Sequence, residues 1–112
     1  MPSQRDIVLI SVPFTDLSSS KRRPVLVLSS DKYCRSSPDM LVAAITSNLA
    51  AAMSGVVVDT TDMETGMLPQ QSLVRADKLY TLSQAKTIKS YGKLKSAAFE
   101  EVLKELDIIL GR

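Results

Sequence analysis

An arginine and a threonine are the residues of this chain whose types and positions suit chemistry on a phosphate. Arg23 precedes Pro24, which biases the arginine backbone towards an extended conformation and so restricts where the guanidinium points. Thr46 follows the apolar run 40–45. A guanidinium can bind a phosphate through two parallel hydrogen bonds, and a hydroxyl can donate to a phosphoryl oxygen or relay a proton. The two could share one cleft if their strands are neighbours, although a threonine at a strand end is commonly a β-former or a cap.

Missing residues exclude several other kinds of chemistry. The chain has no histidine, so a Ser-His-Asp triad is impossible. The single cysteine, Cys34, can form neither an internal disulfide nor a Cys-x-x-Cys zinc site, and its polar neighbours predict a loop position. The four glycines form no phosphate-binding loop of the GxxxxGKS/T or GxGxxG type. Asp59 and Asp62 are expected in a solvated turn, and we expect no metal ion and no cofactor.

The charge is unevenly distributed, although the net charge is only +2. Residues 21–35 hold five basic side chains and one acidic one, and residues 75–95 hold six basic and one acidic. If these stretches meet in space they create a field that attracts polyanions, whereas a merely solvated face is the alternative. The single cysteine fits a reducing compartment, and no membrane span or signal peptide is evident, so we expect a cytoplasmic protein.

The hydrophobic pattern predicts a mainly β chain that ends in one helix. Six apolar segments have the length and composition of strands: 6–12, 25–29, 40–47, 55–59, 72–80 and 88–94. The basic residues 21–23, together with 31–39 and 60–69, are expected in loops. Apolar residues recur at helical spacing over Ser96–Leu110, with the serine as N-cap and Gly111 as the stop. Short strands and one helix in 112 residues predict a single α+β domain over 1–112, built as a small closed or partly open barrel.

Several runs of residues occur in an order that is typical of one family. The runs are Asp-Ile-Val-Leu at 6–9, Pro-Phe-Thr-Asp at 13–16, Lys-Arg-Arg-Pro-Val-Leu-Val-Leu-Ser at 21–29, Ala-Ile-Thr-Ser-Asn at 44–48, Ser-Leu-Val at 72–74, Leu-Tyr-Thr-Leu at 79–82 and Gly-Lys-Leu at 92–94. With the closing helix, they span nearly the whole chain and resemble the MazF/PemK-like toxin family. One departure is Arg5, which stands where the family usually has a glycine before the first strand.

The resemblance implies an SH3-like, CcdB-like barrel and a homodimer inhibited by a cognate antitoxin. It also implies a ribosome-independent, sequence-specific endoribonuclease in which Arg23 and Thr46 match the active-site arginine and threonine. Cleavage of single-stranded RNA would use the RNA's own 2′-hydroxyl, need no metal, and leave a 2′,3′-cyclic phosphate and a 5′-hydroxyl. The antitoxin is expected as an acidic, largely disordered segment that orders on a basic groove.

Six further residues are predicted to bind the RNA: Phe14, Lys21, Arg22, Asn48, Asp77 and Lys78. Asn48, Asp77 and Lys78 lie near predicted strand ends, from which side chains could read the edges of splayed bases. Lys21 and Arg22 are expected to hold backbone phosphates. Phe14 could stack on a base, although burial in the barrel is the commoner role of such a residue. Asp77 or a water molecule could accept the 2′-hydroxyl proton, and the general base stays unassigned.

Two other functions are compatible with a barrel of this kind. A CcdB-like gyrase poison shares the fold and acts by wedging into a protein partner, without any need for an arginine–threonine pair. A non-catalytic SH3-like module that binds nucleic acid, DNA included, would need only the basic surface. Discrete RNA fragments formed in the presence of EDTA would distinguish the nuclease from both alternatives.

Overall fold

A curled antiparallel sheet forms most of the molecule. The computed structural model describes residues 1–13, 20–50 and 54–112. Within these ranges it contains seven strands, two α-helices and two short 3₁₀ turns. In chain order the elements are β1 (Asp6–Pro13), β2 (Ser20–Val27), α1 (Asp31–Ser36), β3 (Asp39–Thr46), β4 (Val56–Val58), the turn Thr60–Asp62, β5 (Met63–Gly66), β6 (Ser72–Ser83), the turn Gln84–Lys86, β7 (Thr87–Leu94) and α2 (Ser96–Leu110).

The strand order across the sheet is β4-β6-β3-β2-β1-β7-β5, and all neighbouring pairs run antiparallel. Helix α2 packs against β6 and β4. The predicted class, mainly β with a C-terminal helix in a small barrel-like sheet, is confirmed. Neither α1, α2 nor any other helix within the described ranges has the length and apolar character needed to cross a membrane.

The sheet is buried on both faces, which explains the unbroken apolar run in β2. Successive side chains of a strand point to opposite faces. Leu26 accordingly belongs to the cluster that includes Phe99 and Val102 of α2. Val25 and Val27 belong to a second cluster on the other face, together with neighbours from β1, β3 and α1. We call the side of the sheet that carries this second cluster the Val25 face.

The basic residues 21–23 lie inside a strand and not in the predicted loop. Arg22 pairs with Ser11, and Arg23 pairs with Ile10 of β1. The sequence did not reveal this half of the strand, because Lys21, Arg22 and Arg23 place basic side chains on both of its faces and leave no apolar period. The pairing of β2 with β3 runs from Val27 to Val25 and stops directly before Pro24, which has no N–H to donate.

Other boundaries also differ from those predicted. Residues 31–36, expected in a loop, form α1, where Ser30 caps the helix by accepting from the Tyr33 N–H. Cys34 is therefore helical and buried, and its Sγ lies 3.3 Å from the hydroxyl of Ser29. The predicted acidic loop 60–69 contains β5, which pairs with β7 at one edge of the sheet.

The C-terminal helix has the predicted limits but a different cap. It begins at Ser96, whose hydroxyl accepts from the Arg5 guanidinium at 3.1 Å, while Lys95 occupies the cap position without a side-chain hydrogen bond. Gly111 ends the helix in the left-handed region, with φ 77°. The apolar stripe is buried only in the first half of the helix, at Phe99, Val102 and their neighbour Ala98.

Candidate active site

The pairing of β2 with β3 brings Arg23 and Thr46 to one place on the Val25 face. Val25 of β2 is directly opposite Ala44 of β3. Continuing this antiparallel register by two residues on each strand sets Arg23 opposite Thr46. Because the side-chain period of a strand is two, both side chains share the face of Val25 and Ala44.

A pocket of about 280 Å³ lies at this position and is lined by both residues. Its polar lining comes from Arg23, Thr46, Arg75 and Lys78, and its apolar lining includes Val12, Val25 and Tyr80. The pocket is therefore formed by four neighbouring strands, β1, β2, β3 and β6. The expected convergence of Arg23 and Thr46 on one cleft is present in the structure.

The Arg23 guanidinium has no hydrogen bond or carboxylate partner among residues 1–13, 20–50 and 54–112. Its side chain is exposed. An arginine carries five N–H donors in a rigid planar fork and no acceptor. Those donors are available to an anion that enters the pocket, and a phosphate is the group that this geometry matches.

The Thr46 hydroxyl oxygen accepts the backbone N–H of Asn48 at 3.1 Å. This hydrogen bond orients the hydroxyl and leaves its proton free to be donated to a ligand. Asn48 itself is exposed, and its side-chain oxygen accepts from the Ala50 N–H at 3.1 Å. Its amide therefore supports the turn after β3, and the residue is not part of the pocket lining.

A bulge in β6 shapes the far wall of the pocket. Ala43 pairs with Leu79, whereas its neighbour Ala44 pairs with Arg75, so the three residues 76–78 are extra on the β6 side. Asp77 and Lys78 thus lie at an irregularity inside a long strand and not near a strand end, as had been expected. The bulge allows both Arg75 and Lys78 to reach the pocket.

Arg75 is a pocket residue that reasoning from the sequence did not select. Its Nε and Nη2 donate to the two carboxylate oxygens of Asp77 at 3.1 and 2.9 Å. This bidentate hydrogen bond is the main reason why the pKa of Arg75 is raised and that of Asp77 is lowered. The Arg-x-Asp spacing was the available signal, since two residues apart in a strand share one face.

The other predicted RNA-binding residues are placed as follows. Lys21 is exposed and, two residues before Arg23, shares its face of β2. Arg22 is exposed on the opposite face, so it does not extend the same groove. Phe14 lies outside the described residues.

The two basic stretches meet at the pocket, because Arg23 comes from the first and both Arg75 and Lys78 come from the second. No group of three or more His, Cys, Asp or Glu side chains that could hold a metal ion occurs in the described ranges. The pocket brings together a guanidinium that has no partner among the described residues and an oriented hydroxyl, in a cationic surrounding. This arrangement is typical of proteins that act on the phosphodiesters of a polyanion.

Comparison with known proteins gives the family. The model of the PemK-like, MazF-like toxins of type II toxin–antitoxin systems matches residues 3–110, and the chain belongs to this family. Endoribonuclease MazF6 of Mycobacterium tuberculosis and endoribonuclease MazF2 of Mycobacterium bovis are each 38% identical over 93 residues, which covers 81% of this chain and 80% of each relative. The family predicted from the sequence is confirmed.

Solved structures show the same fold. A MazE–MazF complex from Deinococcus radiodurans matches with a TM-score of 0.80 at 23% identity, covering 98% of this chain and 96% of that one. A mycobacterial endoribonuclease in complex with its cognate antitoxin also has a TM-score of 0.80, at 18% identity, covering 99% and 96%. The comparisons support the toxin family and not the gyrase-poison or adaptor alternatives.

Proposed function

We propose that this chain is the toxin of a type II toxin–antitoxin pair and that it cleaves single-stranded RNA as a sequence-specific, metal-independent endoribonuclease. The observation that carries the proposal is the unpaired Arg23 guanidinium in one pocket with the oriented Thr46 hydroxyl. Relatives 38% identical to the chain are named endoribonucleases. The surrounding Arg75 and Lys78 add the positive charge that an RNA backbone requires.

In the proposed reaction the RNA 2′-hydroxyl loses its proton and attacks the adjacent phosphorus, and the bond to the 5′-oxygen of the next nucleotide breaks. The products are a 2′,3′-cyclic phosphate and a 5′-hydroxyl, with the proton ending on the leaving oxygen. The transition state carries extra negative charge on the phosphoryl oxygens. Arg23 stabilises this charge through its free N–H donors, and Thr46 donates to the same phosphate.

Asp77 does not line the pocket but contacts the pocket residue Arg75, and the hydrogen bond from Arg75 is the main reason why the pKa of Asp77 is lowered. A lowered pKa makes a carboxylate a weaker proton acceptor than an ordinary aspartate. In the proposal Asp77 therefore acts through its ion pair with Arg75, by holding the Arg75 guanidinium in a fixed direction at the pocket wall.

The proposal includes the partners and the compartment expected of such a toxin. The chain forms a homodimer in the cytoplasm and is inhibited by a cognate antitoxin with an acidic, largely disordered segment. That segment orders on the basic face that contains Lys21, Arg23 and Lys78. Support comes from the Deinococcus radiodurans MazF, which is described in complex with MazE.

The test measures cleavage of RNA in EDTA by the wild type and by Arg23→Ala and Thr46→Ala. Loss of one preorganised donor at developing charge costs on the order of 10²–10³ in rate, so we expect each variant to lose at least about a hundredfold. Arg23→Lys keeps the charge but not the planar fork, and should recover only part of the rate. Arg35→Ala is the matched control, because Arg35 is exposed on α1 outside the pocket.

The proposal is supported if the wild type produces fragments with cyclic-phosphate ends and if only the two pocket variants lose cleavage activity. Near-wild-type rates from folded Arg23→Ala and Thr46→Ala would reject the assignment of the site. Intact RNA with inhibited DNA supercoiling would point instead to a gyrase poison.

A further inference from the structure

We propose that Tyr80 is the platform on which one nucleobase of the substrate RNA stacks, next to the phosphate held by Arg23 and Thr46. The inference rests on the proposed function and assigns to that site a residue that determines how the base is bound. Tyr80 lines the active-site pocket and is 40% exposed.

The sheet register places this ring beside the phosphate site. Tyr80 pairs with Val42, which belongs to the buried cluster on the Val25 face. Lys78, two residues earlier in the same strand, points to the same side and also lines the pocket. The pocket lining thus combines cationic side chains, Arg23 and Arg75 among them, with aromatic and apolar side chains that include Tyr80.

This combination of side chains matches the two parts of a nucleotide. A phosphate needs charged donors, whereas the face of a base is apolar and stacks on aromatic rings. The pocket volume of about 280 Å³ lies just below the range of roughly 300–1,000 Å³ that is usual for ligand pockets, which suits a single nucleotide unit.

Tyr80 is singled out by comparison with the other aromatic residues that the structure describes. Phe99 is buried in the core. Tyr91 is half-buried and covered by the Lys89 ammonium, 5.0 Å from the ring centroid. Tyr33 is 43% exposed but lies on α1 outside the pocket. Within residues 1–13, 20–50 and 54–112, Tyr80 is thus the one aromatic ring that lines the pocket.

The experiment compares the affinities of the wild type and its variants for one RNA oligonucleotide. The oligonucleotide contains the cleavage site found by sequencing the fragment ends of digested RNA. A 2′-deoxy nucleotide at the attacking position blocks cleavage, so fluorescence anisotropy reports affinity alone. Stacking of one base on an aromatic ring changes affinity on the order of 5- to 150-fold. We expect a loss in this range for Tyr80→Ala, affinity close to wild type for Tyr80→Phe, and no loss for the matched control Tyr33→Ala.

A series of oligonucleotides, each abasic at one position around the cleavage site, identifies the stacked base. At that position the wild type should lose affinity and Tyr80→Ala should lose nothing further, because the two changes remove the same contact. At all other positions the two losses should add. Thermal unfolding of each variant establishes that it is folded before its affinity is interpreted.

Three results would overturn the inference. If the wild type leaves RNA intact in EDTA, the proposed function fails and the Tyr80 inference fails with it. If the wild type cleaves RNA but folded Tyr80→Ala binds as tightly, the inference alone fails. Additive losses at every abasic position would likewise show that the ring contacts no base.

Discussion

Arg5 offers a test of how this chain replaces a glycine that its family usually has. Among the described residues it is the only non-glycine with a positive φ, at 77°. An L-residue in this left-handed region costs about 1–2 kcal/mol relative to a glycine. Two hydrogen bonds hold the Arg5 backbone in this conformation. The Arg5 N–H donates to the Val27 carbonyl at 3.0 Å, and the Arg5 carbonyl accepts from the Leu94 N–H at 2.8 Å.

The Arg5 side chain supplies interactions that offset this strain. Its Nη1 lies within hydrogen-bond distance of the Leu94 carbonyl at 3.0 Å, the Ser96 hydroxyl at 3.1 Å and the Glu64 carboxylate at 3.2 Å. The pair with Glu64 is partly exposed and is worth about 0–1 kcal/mol. One hydrogen bond to the half-buried carbonyl adds about 1 kcal/mol. The free energy that these side-chain contacts contribute is therefore similar in size to the cost of the backbone strain.

Two substitutions separate the strain from the network. Arg5→Ala removes the side-chain contacts and keeps the strain, whereas Arg5→Gly removes both. Relief of about 1–2 kcal/mol of strain outweighs the roughly 0.5–1 kcal/mol of extra backbone entropy that glycine has in the unfolded chain. We expect Arg5→Gly to be more stable than Arg5→Ala by about 1 kcal/mol and to lie close to wild type.

The assay is equilibrium unfolding in urea, followed by circular dichroism at one protein concentration because dimer formation would make stability concentration-dependent. The matched control is the same pair of substitutions at Arg35 in helix α1, where glycine should be the less stable by up to about 1 kcal/mol. An Arg5→Ala variant as stable as Arg5→Gly, or more stable, would refute the account of strain at this position.

Three further changes test other parts of the structure. Asp77→Asn removes the bidentate pair with Arg75. Because the pKa of Asp77 is lowered below the ordinary aspartate value of about 4, the ionised carboxylate stabilises the fold at neutral pH. This stabilisation is lost as the pH falls through the lowered pKa. The difference in melting temperature between this variant and the wild type should therefore narrow in acid. Gly66→Ala should cost more than about 2 kcal/mol, since φ is 75° and a Cβ would collide with the backbone of β7, whereas Gly111→Ala, with φ 77° and open space, should cost about 1 kcal/mol. Gln84→Ala should cost about 1–3 kcal/mol and accelerate labelling of the Cys34 thiol by a disulfide reagent. The Gln84 Nε2 carries two N–H donors and lies 2.8–3.0 Å from the carbonyl oxygens of Cys34, Ser37 and Asp39, so it ties the end of α1 to the start of β3.

Each of these expectations has an outcome that contradicts it. If the difference in melting temperature between the wild type and Asp77→Asn stays constant from pH 7 to pH 3, protonation of the Asp77 carboxylate does not affect stability. Equal losses for Gly66→Ala and Gly111→Ala would show that the close approach of β5 and β7 does not constrain Gly66. An unchanged labelling rate in Gln84→Ala would show that this side chain does not hold helix α1 over the thiol.

Local pattern predicted the elements that bury a long apolar surface. The strands containing 6–12 and 40–46, and the helix Ser96–Leu110, were found because burial on one or both faces imposes a period that can be read from the sequence. Strand β7 was also predicted, although Leu94 is its only buried residue. Helix α1 and strand β5 were not predicted from the sequence. They are short, and they are held by contacts with distant elements, α1 by Gln84 and β5 by pairing with β7. Propensity in so few residues is too weak to indicate them.

The sequence by itself determined the family, the fold class and the two side chains proposed for chemistry, because these depend on residue types and on their order along strands. It also restricted Arg23 to an extended backbone through Pro24. Only the tertiary structure decided which residues surround this pair. Arg75 and Tyr80 join the predicted Lys78 at the pocket through the register of β6 against β3 and through the bulge at 76–78, which pair residues 31 to 38 positions apart in the chain. A two-residue period gives the face on which a strand residue lies, but which residues oppose each other across a sheet depends on long-range pairing that no local pattern encodes.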